Sequence, residues 1–192
     1  MNETLFLNPP AAVNAIEART QELQFAMASE PRTGMLLRTL AATKPGGRIL
    51  ELGTGTGLAT AWLLDGMDAA STLISVDTDE QVQQVARDVL GQDKRLTLLA
   101  VDACGFLWRQ KQASFDLVFA DAMPGKYVAL DEALDLVKPG GYYIVDDMLP
   151  QPTWPEGHDQ KAAALMEQLA QDTRFRSAAM SWASGIIVMV RK

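Results

Sequence analysis

The sequence predicts an α/β protein, doubly wound around a mostly parallel, seven-stranded sheet with a C-terminal antiparallel hairpin and two N-terminal helices. Three observations carry this. Short, nearly continuous apolar runs alternate with amphipathic helical segments from Arg48 onward, the pattern of parallel strands covered on both faces. A glycine-rich turn, Gly53-Thr54-Gly55-Thr56-Gly57, follows the first strand. Near the end, Ala183-Ser184-Gly185 separates two apolar runs, and so short a turn joins strands only as a hairpin.

The elements follow in order. Asn8-Pro9-Pro10 is a start signal, and Val13, Ile16, Leu23 and Met27 recur at helical spacing over 11–28. Ser29 to Gly34 reads as a break, after which Met35 to Leu40 forms a second helix ending before Lys44-Pro45-Gly46-Gly47. Strands are expected at 48–52, 72–76, 96–101, 115–120, 142–145, 175–182 and 186–190. Helices are expected at 57–65, around Val82 to Leu90, around Val128 to Val137 and at 160–170. One domain, 1–192, results, with a helical extension over 1–45 and an α/β core over 46–192. The extension is expected to cover a ligand, shape a pocket or form a homodimer contact.

Composition narrows the partners. A net charge of -7 and a pI near 4.7 disfavour nucleic acid. Met1 to Glu22 has no leader-like basic and apolar pattern, and no later run is long enough for a membrane span, so a cytoplasmic protein without membrane contact is expected. The single cysteine, Cys104, is expected to be a core thiol.

An acid follows each of the first five strands: Glu51, Asp77, Asp102, Asp121 and the pair Asp146-Asp147. Ligands in open α/β sheets lie beyond those strand ends. The glycine loop can let a ligand lie against bare backbone, and the helix after it presents free N–H groups. A dinucleotide loop would want glycine where Leu58 stands, and a phosphate loop would end in Gly-Lys-Ser/Thr, which is absent.

The pattern Glu51-x-Gly53-x-Gly55-x-Gly57 resembles the first motif of the class I S-adenosylmethionine (SAM) methyltransferases. That resemblance implies SAM as cofactor. Asp77 would bind the ribose hydroxyls and Asp102 the adenine amino group, with the Ala103 amide beside it. Glu51 would orient the loop and face the ammonium of the methionine moiety, while Thr54, Thr78 and Asp121 would complete the cofactor's contacts.

Phe115 to Asp121, with Tyr127 beyond, and Lys138 to Asp147 resemble the catechol and caffeoyl-CoA O-methyltransferase group. By that likeness Asp121, Asp146 and Asp147 would hold Mg²⁺ or another divalent cation. The chain departs from the group in carrying Asp147 for asparagine, and Pro124 where a basic lysine commonly stands. Lys126 could replace that lysine if the Pro124-Gly125 turn folds it back. The catalytic candidates are therefore Asp121, Lys126 and the sole histidine, His158. Trp154, Trp182, Met123 and Met148 are candidate walls of an apolar pocket.

The implied activity is methyl transfer from SAM to a hydroxyl of a small aromatic acceptor. Two rivals stand beside it: a non-catalytic SAM-binding or regulatory protein, suggested by Pro124, and a nicotinamide-dependent oxidoreductase, disfavoured by Leu58.

Overall fold

The computed structural model describes residues 3–192, with side chains from Leu5 onward. Met1 and Asn2, part of the segment read as lacking a leader, lie outside the described residues. The sheet contains β1 (Arg48–Leu52), β2 (Thr72–Asp77), β3 (Leu96–Ala100), β4 (Phe115–Ala120), β5 (Val137–Val145), β6 (Phe175–Met180) and β7 (Ile186–Arg191), in the order β3-β2-β1-β4-β5-β7-β6. The first five strands pair in parallel. β7 is antiparallel to β5 and to β6, the latter as the short turn between them requires.

Side chains alternate across the strands and so build two cores. Leu50, Leu52, Val118 and Tyr143 face one side, beneath α5 (Ala103–Leu107), α6 (Leu130–Asp135) and α7 (His158–Gln171). Ile49, Leu117, Phe119 and Ile144 face the other, beneath α1 (Ala11–Glu22), α2 (Pro31–Ala42), α3 (Leu58–Gly66) and α4 (Glu80–Leu90). The N-terminal helices pack within the chain, α1 against α3 and α4, and α2 against α3. Gly34 lies so close to buried Trp62 that a Cβ there would meet the indole ring. Among the described residues, no helix is long and apolar enough to cross a membrane.

Several boundaries differ from the expected ones. α1 ends at Glu22 rather than reaching 28, because Gln24 takes a left-handed conformation (φ 52°) and stops the ladder. Leu23 and Met27, at helical spacing in the sequence, are exposed. α2 begins at Pro31, inside the expected break, because proline at the first helical position lacks only an N–H that would have no partner there. Val137 belongs to β5, paired with Phe115, and the 138–141 turn is a bulge within that strand. α5 was not expected, and Cys104 in its first turn is partly exposed rather than core.

Candidate functional site

The glycine loop is held from behind. Gly53 (φ 98°) donates its N–H to the Val76 carbonyl at 2.9 Å, and a Cβ on it would run into the Asp121 carbonyl. This is the close approach that a glycine permits. Gly55 donates to Asp77 Oδ2 at 2.8 Å, fixing the loop tip to the end of β2. Thr54 Oγ1 pairs with Ser75 Oγ at 2.6 Å and accepts from Gln83 Nε2 at 2.9 Å. Thr20 Oγ1 donates to Thr56 Oγ1 at 2.8 Å, so α1 is tied to the same loop.

Glu51 is fully buried under that loop. Its Oε2 accepts from Thr60 and Ser75 hydroxyls, whereas Oε1 is buried without a partner. Burial pushes its carboxyl up to about 7. A buried acid with one oxygen free of donors favours its neutral form.

A cavity of about 320 Å³ opens over the loop, lined by Gly53, Thr54, Gly55, Asp77, Thr78, Ala103 and Asp121 among others. Glu51, Gly57 and Asp102 are absent from its wall. Asp102 caps α5, its oxygens accepting from the Cys104 and Gly105 amides at 3.3 and 2.8 Å. Gly57 (φ 96°) starts α3 and comes against Ala86, where a Cβ would sit 2.6 Å away.

A second cavity, about 330 Å³, lies alongside. Met27, Ala28, Ser29, Asp121 and Ala122 line both cavities, so they form the partition. The far wall carries Lys126, Tyr127, Asp146, Asp147, Trp154 and His158. His158 Nε2 is 3.1 Å from Tyr127 Oη, and Trp154 packs on the imidazole with ring centroids 4.8 Å apart. Met123 also lines this wall. Trp182 does not, because its indole N–H donates to the Arg32 carbonyl at 3.0 Å and its ring packs under Arg32. Met148 is buried in the core.

The Pro124-Gly125 turn does return Lys126. Gly125 (φ 85°) donates to the Val128 carbonyl at 2.8 Å, and the Tyr143 hydroxyl donates to the Gly125 carbonyl. Lys126, 6% exposed, donates from Nζ to the Asp146 carbonyl at 3.1 Å and lies 3.6 Å from Asp121 Oδ1. Burial, then the nearby Asp146, raises the Asp121 carboxyl well above its usual range, with Lys126 opposing. Burial likewise pushes Asp146 up to about 6.

Asp121, Asp146 and Asp147 thus share one cavity, and the protein itself engages both oxygens of Asp121 and one of Asp146. Asp121 Oδ2 accepts from Ser29 Oγ at 3.1 Å. Asp146 Oδ1 accepts from the Ser184 hydroxyl and, at 2.9 Å, from the Asp147 amide. Among the described residues, no group of three or more His, Cys, Asp or Glu is arranged to hold a metal ion. Hard cations such as Mg²⁺ are held by one or two carboxylates with water completing the shell, and here a buried ammonium, Lys126, already stands 3.6 Å from Asp121 Oδ1.

Sequence reasoning missed Ser29, Phe25 and Ser184. Phe25 lines the first cavity and lies against Gly55, while Ser29 spans the partition. Both belong to residues 23–30, part of the extension expected to cover a ligand or shape a pocket, but no spacing in the sequence singles out these two side chains. Ser184 sits in the turn between β6 and β7, read only as a hairpin.

A seven-stranded sheet with a reversed strand inserted near one edge, and a glycine loop closing a cavity at the strand ends, define the class I methyltransferase architecture. The profile of the O-methyltransferase family matches residues 11–192, and the chain belongs to that family. A "probable O-methyltransferase" of Mycobacterium tuberculosis (strain ATCC 25618 / H37Rv) is 32% identical over 173 residues, covering 84% of this chain and 76% of that protein. An O-methyltransferase from Streptomyces achromogenes involved in tomaymycin synthesis, solved in complex with SAM, superposes with a TM-score of 0.82 at 23% identity, over 99% of this chain and 93% of the other. One from Bacillus cereus, in complex with S-adenosylhomocysteine (SAH), gives 0.83 at 21% identity, over 99% and 94%.

Proposed function

We propose that the protein transfers the methyl group of SAM to a hydroxyl of a small aromatic acceptor, with SAM in the glycine-loop cavity and the acceptor in its neighbour. The observation that carries this reading is the shared partition at Asp121, Ala122 and Ser29, which brings two ligand-sized cavities into contact. SAM supplies an electrophilic methyl, and transfer needs an oxygen nucleophile placed in line with it. Asp77 and Thr78 hold the ribose end, the Ala103 segment the adenine end, and the Gly53 to Gly57 amides the amino-acid end. Glu51 and Gly57 contribute from behind by shaping the loop, and Asp102 by fixing Ala103.

In the acceptor cavity, Asp121 and Lys126 meet the hydroxyl. The ammonium favours its ionised form, and His158, oriented by Tyr127, receives the proton. This reading routes no step through a divalent cation. The regulatory alternative rested on Pro124, and the return of Lys126 to the cavity removes that support. The acidic balance of the chain supports a small-molecule acceptor rather than nucleic acid, and we take the described part of the N-terminal extension to belong to one domain with the core, its exposed residues open to a homodimer contact.

Conversion of SAM to SAH across a panel of phenols and catechols tests the reading. Turnover with at least one acceptor is expected. Saturable SAM binding without any turnover would favour the regulatory protein, and NAD binding without SAM binding would overturn the assignment altogether.

A further inference from the structure

We propose that the Lys126 ammonium is the resident cation of the Asp121, Asp146 and Asp147 cluster, occupying the electrostatic role of a divalent metal, so that the acceptor site works without one. The inference rests on the methyltransfer reading only for what the cation does to the acceptor; its place in the cluster stands on geometry alone.

The turn preceding Lys126 is built to deliver the side chain inward. The Met123 carbonyl accepts from the amides of Lys126, Tyr127 and Val128 at 3.3, 2.9 and 3.1 Å, closing a tight turn. Gly125 within it has φ 85°, and a Cβ there would sit 2.6 Å from Leu52 Cδ1. The long side chain then reaches the cluster from below. Of its three donors, one goes to the Asp146 carbonyl and a second faces Asp121 Oδ1, leaving a third for the cavity that Lys126 lines.

The acids are arranged for that partner. Asp121 is held between Ser29 on one oxygen and the ammonium on the other. Asp146 is held by Ser184 and the Asp147 amide. A divalent ion held through Asp121 would compete with Ser29 and the ammonium for its oxygens and would sit beside a buried positive charge, where like charges oppose each other with little solvent between them. With its ammonium against Asp121 and the Asp146 carbonyl, Lys126 already supplies this wall with one positive charge and one hydrogen-bond donor for an acceptor oxygen.

The test is Mn²⁺ titration of the EDTA-treated full-length protein, followed by the spectrum of free Mn²⁺ and by calorimetry. SAH binding is measured separately on the same sample. The parent is expected to show no saturable Mn²⁺ binding below a Kd of about 1 mM. Lys126→Met, which frees the carboxylates, is expected to bind one Mn²⁺ per chain at least tenfold more tightly, and the double variant Lys126→Met/Asp146→Asn to lose it. The proposal is overturned if the parent binds one Mn²⁺ per chain with a Kd under about 100 μM that Asp146→Asn abolishes, or if Lys126→Met binds no better than the parent. The parent titration decides the question by itself should Lys126→Met not fold. Absence of SAH binding would count against the methyltransferase reading and leave the metal result intact.

Discussion

Ser29 Oγ donates to Asp121 Oδ2 at 3.1 Å, joining residues 92 positions apart in the chain. The bond closes residues 23–30 over the ends of β1 and β4, and both cavities share it. Ser29→Ala removes the tie without disturbing either core. A part-buried bond to a carboxylate contributes on the order of 1 kcal/mol. Global stability should fall by no more than that, while SAH affinity drops several-fold and amide exchange over 23–30 accelerates. Unchanged exchange in that segment would show that the bond does not hold it.

Asp77 has one oxygen on the Gly55 amide and the other on the Asp79 amide at 2.9 Å, so it positions the loop as well as facing the cavity. Asp77→Ala should weaken SAM binding by roughly 1–3 kcal/mol, the usual cost of leaving polar partners unpaired. Calorimetry with SAM measures this. An affinity within about twofold of the parent, some 0.4 kcal/mol, would remove Asp77 from the cofactor site.

Glu51 ties stability to pH. In the unfolded chain its carboxyl titrates near 4.5, whereas in the fold burial holds it at about 7. Between these values the unfolded state sheds a proton that the folded state keeps, so stability falls as pH rises through that window and levels off above it. Asp146, pushed up to about 6, adds a slope of the same sign. Glu51→Gln has no proton to lose there. Its stability relative to the parent should improve by about 1–3 kcal/mol between about pH 5 and about pH 8. Urea unfolding at the two pH values reads this directly, and parallel behaviour of the two proteins would mean that Glu51 does not titrate as placed.

Gly53 adopts φ 98° with the Asp121 carbonyl against its Cα. Gly53→Ala combines a disfavoured backbone conformation with a clash against main chain, which cannot rotate away. Destabilisation of about 2–4 kcal/mol is expected. Denaturant midpoints check it, and a loss under about 0.5 kcal/mol, the range of ordinary surface changes, would mean that the loop relaxes.

Much of this was legible in the sequence because it depended on local rules. The apolar runs ended by acids placed β1 and β4 at their observed bounds, and the turn before Ile186 forced the antiparallel pairing. What escaped depended on single dihedral angles and distant partners. Leu23 and Met27 satisfy helical spacing, yet the left-handed conformation of Gln24 ends α1 before them. Asp102 was expected to meet the adenine amino group, whereas its contacts within the fold are those of a helix cap, a role that an Asp before a helix plays equally well. The return of Lys126 was conditional on a glycine turn whose direction no sequence spacing fixes.

His158 and Tyr127 together test the proton path. The imidazole is the first residue of α7, but the helix start does not use its side chain. Nε2 meets the Tyr127 hydroxyl, the ring packs on Trp154, and all three residues line the acceptor cavity rather than the SAM cavity. A group that accepts the acceptor's proton affects turnover and leaves cofactor binding alone. His158→Gln, which keeps a hydrogen-bonding end but cannot take a proton, should lower kcat by about 10- to 100-fold, at or below the low end of the usual general-base contribution. SAH affinity should be unchanged. Tyr127→Phe removes the partner that orients the ring while keeping the imidazole itself, so it should lower kcat less. Steady-state rates with a confirmed acceptor, measured for both variants, separate the roles. Full turnover in His158→Gln would leave the histidine as a wall residue and move the proton to the Asp121 and Lys126 side of the cavity.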